Sequence, residues 1–251
     1  MRGRLLCSAL IVGLFIFPSN ALAEIEDPMV TLLVAIENGD ADTVRKMLAS
    51  GAGPNVELAG DQTLLMVAAW NRQEEIARLL VGAGAKINAA DSDGQTALMQ
   101  AATQGSLPLV DMFLDAGADL KARNTFGFDA FTIAVSGGHV DVARRMLKAK
   151  ADIESSTHGL TPLMFAVAST NEEMMRFLVD NGANVNAGVN SGVQTPLNLA
   201  SSTGNTEAVR ILIDLKADVN GASKDGTTPI KAAREAGHEK IVAVLKAAGA
   251  K

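Results

Sequence analysis

Tyrosine is absent from this chain, tryptophan and cysteine each occur once, and histidine occurs three times. A single cysteine, Cys7, excludes an internal disulfide and any cysteine-rich metal site. His139, His158 and His238 are scattered without the close pairing that a zinc site needs. There is no nucleophile elbow, no Walker loop and no dinucleotide fingerprint. Fragments such as Gly82-Ala-Gly84 read as helix ends. The turns at Asp93-Gly94 and Asp225-Gly226 lack the alternating acids and closing glutamate of a calcium loop. Nothing here points to an enzyme, a cofactor or a resident metal. The absence of any Asn-x-Ser/Thr sequon favours a bacterial exported protein over a eukaryotic secreted one.

Long apolar runs are also scarce. The longest opens the chain, from Leu5 to Phe17, after the basic start Met1-Arg-Gly-Arg4. Small residues follow at Ala21 and Ala23. Basic start, short apolar stretch and small-residue site together predict a secretory signal peptide over 1–23, cleaved after Ala23. The run is too short for a membrane span of ~20 residues. Cys7 lies too early in it to be a lipidation site. Cleavage removes Arg2, Arg4 and no acid, which moves the net charge from −6 to −8. A periplasmic, monomeric protein with no membrane insertion is expected. Its acidity disfavours nucleic acid and favours a partner with a basic or neutral surface.

What the chain has in abundance is one pattern repeated. A Thr slot opens a short helical stretch at Thr63, Thr96, Asp129, Thr161, Thr195 and Thr228, in nearly equal steps. A period of about 33 residues means stacked supersecondary units. About seven are expected, near 28–55, 56–88, 89–120, 121–153, 154–186, 187–220 and 221–251, forming one solenoid over 24–251. Within 89–120, Asp91-Ser-Asp-Gly94 is a turn. Thr96 to Gln104 reads as a first helix, Gly105 as a break, Leu107 to Ala116 as a second helix and Gly117 as its left-handed end. Helices this short are unstable alone in water, so stacking must bury a shared core. The step from Asp129 to Thr161 is short, dropping a residue near Ser155-Ser-Thr-His-Gly159. The step from Thr161 to Thr195 is long, adding one at Gly192-Val193.

These motifs resemble the ankyrin repeat: Thr161-Pro162-Leu163, Thr195-Pro196-Leu197 and Thr228-Pro229-Ile230, the turns Gly138-His139 and Gly237-His238, and the unit ends Gly117-Ala118-Asp119 and Gly182-Ala183-Asn184-Val185-Asn186. The resemblance spans about Pro28 to Lys251. It implies an all-α, α-dominated solenoid with short β-hairpin fingers, and partner binding through hairpin tips and first helices. The chain departs from the family pattern in places. The family histidine is replaced by Met66, Met99, Thr132, Met164, Asn198 and Lys231, so its hydrogen bonds are expected to be lost and methionine to fill the space. The helix-ending glycine becomes Lys150 and Lys216. The inter-helix glycine becomes Arg72 and Thr170.

Two readings stay open for Trp70, Phe126 and Phe128: anchors for a partner, or local packing on neighbouring units. Aromatics are enriched in interface anchors, and a turn normally takes polar residues. Asn71, Thr103, Gln104, Ser136 and His158 are the polar candidates beside them. His139 and His238 read as structural turn residues, and Phe113, Phe131, Phe165 and Phe177 as core. The aligned Met66, Met99 and Met164 are read as packing, or as an adaptable apolar surface. The expected function is non-enzymatic binding of another protein. Exported bacterial members of the family suggest an accessory factor for an exported or envelope protein, for example in oxidative-stress protection. The alternative is an immunity-type inhibitor of a secreted toxin, and a small-molecule or metal binder is remote.

Overall fold

The structure is a computed structural model, and it describes residues 28–188 and 194–251. The expected signal peptide and the inserted residues Gly192-Val193 lie outside the described residues. Fourteen α-helices are present among those residues, together with one 3-10 turn at Ala59–Asp61. In chain order they are α1 (Pro28–Asn38), α2 (Ala41–Ala49), α3 (Leu64–Trp70), α4 (Glu74–Gly82), α5 (Ala97–Thr103), α6 (Leu107–Asp115), α7 (Ala130–Ser136), α8 (Val140–Lys148), α9 (Pro162–Ala168), α10 (Glu172–Asp180), α11 (Pro196–Ser202), α12 (Thr206–Asp214), α13 (Pro229–Glu235) and α14 (Glu239–Ala247). The chain divides into two compact units between Thr125 and Phe126. The first holds α1 to α6 and the second α7 to α14.

The Thr slot starts the first helix of each pair. Thr63, Thr96, Thr195 and Thr228 are extended N-caps whose side chains accept from the backbone N–H three residues on, and Asp129 does the same for α7. Proline stands at the first helical position of α9, α11 and α13, where its missing N–H leaves no bond unmade. Each first helix that follows such a slot is short, and a left-handed residue then turns the chain into a longer second helix. That residue is usually glycine, but Arg72 (φ 57°) and Thr170 (φ 54°) hold the same conformation. His139 and His238 are N-caps of α8 and α14, and His238 Nε2 lies 3.2 Å from the Ser202 carbonyl.

In the first unit α1, α3 and α5 pack side by side, as do α2, α4 and α6. In the second unit α7, α9, α11 and α13 form one row and α8, α10, α12 and α14 the other. The first helices are buried almost throughout. Leu64 to Ala69 are all buried, and Ala68, Ala69, Ala101 and Ala102 are small enough for close approach. Met66, Met99 and Met164 are no more than 1% exposed, so they pack the interior and form no adaptable surface. Phe113, Phe131 and Phe177 are buried as expected, while Phe165 is only half-buried.

Strand structure among the described residues is limited to three isolated antiparallel bridges, Glu57–Thr63, Ala90–Thr96 and Thr157–Leu160. The turn segments are too short to add a further ladder pair. Asp91 N–H donates to the Gln95 carbonyl at 3.0 Å, and Asp91 Oδ1 accepts from the N–H groups of Asp93 and Gln95. In the short step between Asp129 and Thr161 the corresponding turn loses one residue. Thr157 and Leu160 exchange two backbone bonds of 2.9 Å around His158 (φ 51°) and Gly159 (φ 84°). Two successive positive φ values make a type I′ turn.

Two of the residues that stand in the family histidine's column make hydrogen bonds of their own. Asn198 Nδ2 donates at 2.6 Å to Ser223 Oγ and at 2.6 Å to the Thr227 carbonyl, which ties α11 to the turn before α13. An amide can do this at 0% exposure because it donates in two directions. At Met66 the sulfur accepts from Thr63 N–H at 3.5 Å.

Candidate partner-binding surface

Three large hydrophobic residues are exposed among the described residues: Met29 (36%), Trp70 (53%) and Phe126 (60%). Trp70 closes α3 and is the one residue of that helix that is not buried. Asn71, its exposed C-cap, follows. The matching positions on α5 are Thr103 and Gln104. Thr103 is exposed but donates its hydroxyl to the Met99 carbonyl at 2.9 Å, and Gln104 is half-buried. Because α3 and α5 pack together, the first unit brings Trp70, Asn71, Thr103 and Gln104 to the same ends of neighbouring helices. Ser136, exposed at the end of α7, belongs to the second unit.

The second unit joins the other candidates. His158 Nε2 lies 3.0 Å from the Phe126 carbonyl, and Thr157 Oγ1 donates to the Gly127 carbonyl at 3.0 Å. Two successive turns are thereby clamped, with Phe126 and His158 outward. Phe128 is different. It is half-buried and its ring meets Phe165 at 5.4 Å with a 58° tilt, the geometry of a favourable aromatic pair. Phe128 therefore packs locally, one of the two readings open for it. Beneath it Asp129 caps α7 through Thr132 N–H (2.8 Å) and accepts the Ser155 hydroxyl, which fixes the root of this turn.

Sequence reasoning missed Met29, which sits near the start of α1. It also missed the acids of the first unit's turns. Ser92 N–H donates to the Gly60 carbonyl at 2.9 Å, so the turn carrying Glu57 and Asp61 lies directly beside the turn carrying Asp91 and Asp93. The regular step between the two turns, shown by Thr63 and Thr96, was the available signal. On α1, burial pushes the Glu37 carboxyl above the ordinary carboxylate range. A separate shallow groove of about 730 Å³ runs over α10, α12 and α14, with Arg176, Arg210 and Asp214 beside Ile211 and Val244. Arg176 is already paired there with Glu172 at 2.9 Å. It contains none of the residues singled out from the sequence.

No group of three or more histidine, cysteine or acidic residues among the described residues could hold a metal ion. None of their helices is long and apolar enough to cross a membrane. What the surface offers is exposed aromatic area on a rigid support. Burying the exposed half of an indole removes about 100 Å² from water, which contributes roughly 2–3 kcal/mol to binding.

A family model described as ankyrin repeats (3 copies) matches residues 32–124, 104–189 and 187–251. Among solved structures, the ankyrin repeat domain of Bcl-3, a member of the IkappaB protein family, is 30% identical with a TM-score of 0.74, over 86% of this chain and 97% of that one. The human ASB11 ankyrin repeat domain is 24% identical with a TM-score of 0.74, over 85% of this chain and 96% of that one. No curated protein matches the chain.

Proposed function

We propose, from the premise that this chain belongs to the ankyrin-repeat family, that it is an exported, monomeric accessory protein that docks one partner protein in the periplasm. Ankyrin repeats are protein–protein interaction modules, and their work is binding without catalysis. In this reading the helix pairs are seven repeat units, and the turns that precede the first helices are their fingers. On the first unit Trp70 is the anchor, with Asn71, Thr103 and Gln104 as polar contacts; on the second unit Phe126 is the anchor, with His158 and Ser136 as polar contacts. The reading rests above all on Trp70, 53% exposed at the end of an otherwise buried helix. Such a position adds nothing to the core, and tryptophan is the residue type most enriched at interface hot spots. A preformed surface of short, capped helices binds with little ordering cost.

The test is capture of the partner from a periplasmic extract by the mature chain and by a Trp70→Ala/Phe126→Ala variant. The double variant should keep its melting temperature within about 2 °C, because exposed side chains contribute little to the fold. It should also lose at least ten-fold in affinity for the captured protein, as two truncated anchors would. Undiminished capture by the double variant would remove both residues from the interface. N-terminal sequencing of the exported protein tests cleavage after Ala23, and an intact N-terminus would reject it.

A further inference from the structure

The first unit's exposed tryptophan shares its helix with a row of acidic turns, which lie at the opposite end from Trp70 and its neighbour Arg72. Trp70 projects from the end of α3, and the other end of that helix starts at the stacked turns. Those turns carry Glu57, Asp61, Asp91 and Asp93. Glu57, Asp61 and Asp93 are exposed and make no ion pair among the described residues. Helices α1, α3 and α5 carry no lysine or arginine. The bases of this unit stand elsewhere: Arg45, Lys46 and Arg78 on second helices, Arg72 in the turn after α3, Lys86 after α4, and Lys121 and Arg123 at the next turn, where the acidic row ends. Two turns of the second unit show no such bias. Residues 126–136 hold one acid, the buried Asp129, and residues 221–231 hold Lys224 and Lys231 beside Asp225.

The geometry points to a basic protein segment as the occupant of this face, with an apolar side chain covering Trp70 and arginine or lysine side chains reaching the Asp61–Asp93 edge. The inference rests on the docking reading above and narrows it. The length of α3 separates the two ends, a rise of about 10 Å. A bound segment meets both with groups about three residues apart if extended, or about two turns apart if helical. An acidic segment would meet a row of carboxylates at short range, which is how like charge rejects a wrong partner. Glu37 stands on α1 one repeat step before Trp70, and a cation brought near its partly desolvated carboxyl would favour the charged form.

The experiment uses the mature chain and two fluorescein-labelled peptides, one of arginine and leucine and one of glutamate and leucine, read by anisotropy. The arginine peptide should bind and the glutamate peptide should not. Asp61→Asn/Asp93→Asn should weaken the arginine peptide about five-fold, and Trp70→Ala at least about ten-fold. Asparagine suits the left-handed Asp61 (φ 61°), so that variant keeps its fold. Glu173→Gln/Glu207→Gln makes the same charge change on second-unit helices and should leave binding unaltered. Equal weakening by both double variants means attraction by bulk charge and overturns the inference. So does a response to the glutamate peptide, or indifference to Trp70→Ala. If the periplasmic partner is still captured through Trp70 but ignores Asp61 and Asp93, the basic-segment inference fails while the docking reading stands. If capture ignores Trp70 as well, the inference fails and Trp70 is removed from the docking interface.

Discussion

Lys150 and Lys216 end α8 and α12 with φ of 71° and 68°, where the sibling positions use glycine. Their backbone N–H groups still make the helix-closing bonds, to Leu147 and Ile213. The strain is therefore held in place by the motif and not relieved. A left-handed side-chain-bearing residue costs about 1–2 kcal/mol, and glycine returns part of that as unfolded-state entropy of ~0.5–1 kcal/mol. Lys150→Gly and Lys216→Gly should each raise the melting temperature by about 2–4 °C in a thermal scan. Thr170 (φ 54°) should gain less, since its Oγ1 accepts from Asn205 Nδ2 at 2.6 Å and glycine would orphan that donor bond. Charge at caps carries a pH consequence. The Thr43 hydroxyl and then the Thr43 N–H hold the Asp40 carboxyl below its ordinary range, and the Thr227 N–H does the same for Asp225. A depressed carboxylate stabilises the fold at pH above its unfolded value, and that contribution fades as pH falls through the folded value. Asp40→Asn should therefore lower the urea midpoint at neutral pH and leave it nearly unchanged at acid pH, which flattens the acid limb of the profile. A parallel profile with an unaltered acid limb would remove Asp40 from the account.

Element boundaries were legible because each has a chemical marker. Thr and Asp caps open the first helices, left-handed residues separate the pairs, and glycine or lysine closes the second helices. Substitutions at marked positions were harder to read. Asn198 falls in a column otherwise filled mainly by methionine, and spacing alone could not reveal that Ser223 and Thr227 would lie within 2.6 Å of it. Hydrogen-bond partners that far along the chain depend on how the turn before α13 folds back, which no local pattern encodes. The deleted residue near His158 was visible as a length change, but its conversion into a type I′ turn needed the backbone angles. Asn198→Ala should destabilise by about 2–3 kcal/mol, because two buried bonds vanish and the Thr227 carbonyl loses a donor. A double-mutant cycle with Ser223→Ala, measured by urea unfolding, should give a coupling of about 1 kcal/mol. Coupling near zero would mean that the amide acts through Thr227 alone.

For the whole molecule, the repeat made the class legible and the surface only partly so. Its regular step showed that the core is shared between neighbours, and buried methionine and alanine columns follow from that. Which aromatics face outward did not follow. Phe126 and Phe128 flank one glycine, yet one is 60% exposed and the other packs on Phe165, a difference set by a partner ring on α9, well along the chain. Exposure of the single tryptophan has a consequence for the entire unfolding reaction. With no tyrosine present, emission excited in the near ultraviolet comes essentially from Trp70. A side chain already 53% exposed changes its surroundings little when the chain unfolds. Helical circular dichroism should therefore report a large cooperative transition, while the Trp70 emission maximum moves only slightly across the same temperatures. The two melts, recorded in parallel at several protein concentrations, decide the matter. A blue-shifted native emission that moves to the red on melting would mean that Trp70 is covered in solution. If that blue shift disappears on dilution, the cover is a second copy of the chain, and the monomeric reading fails together with the free docking face.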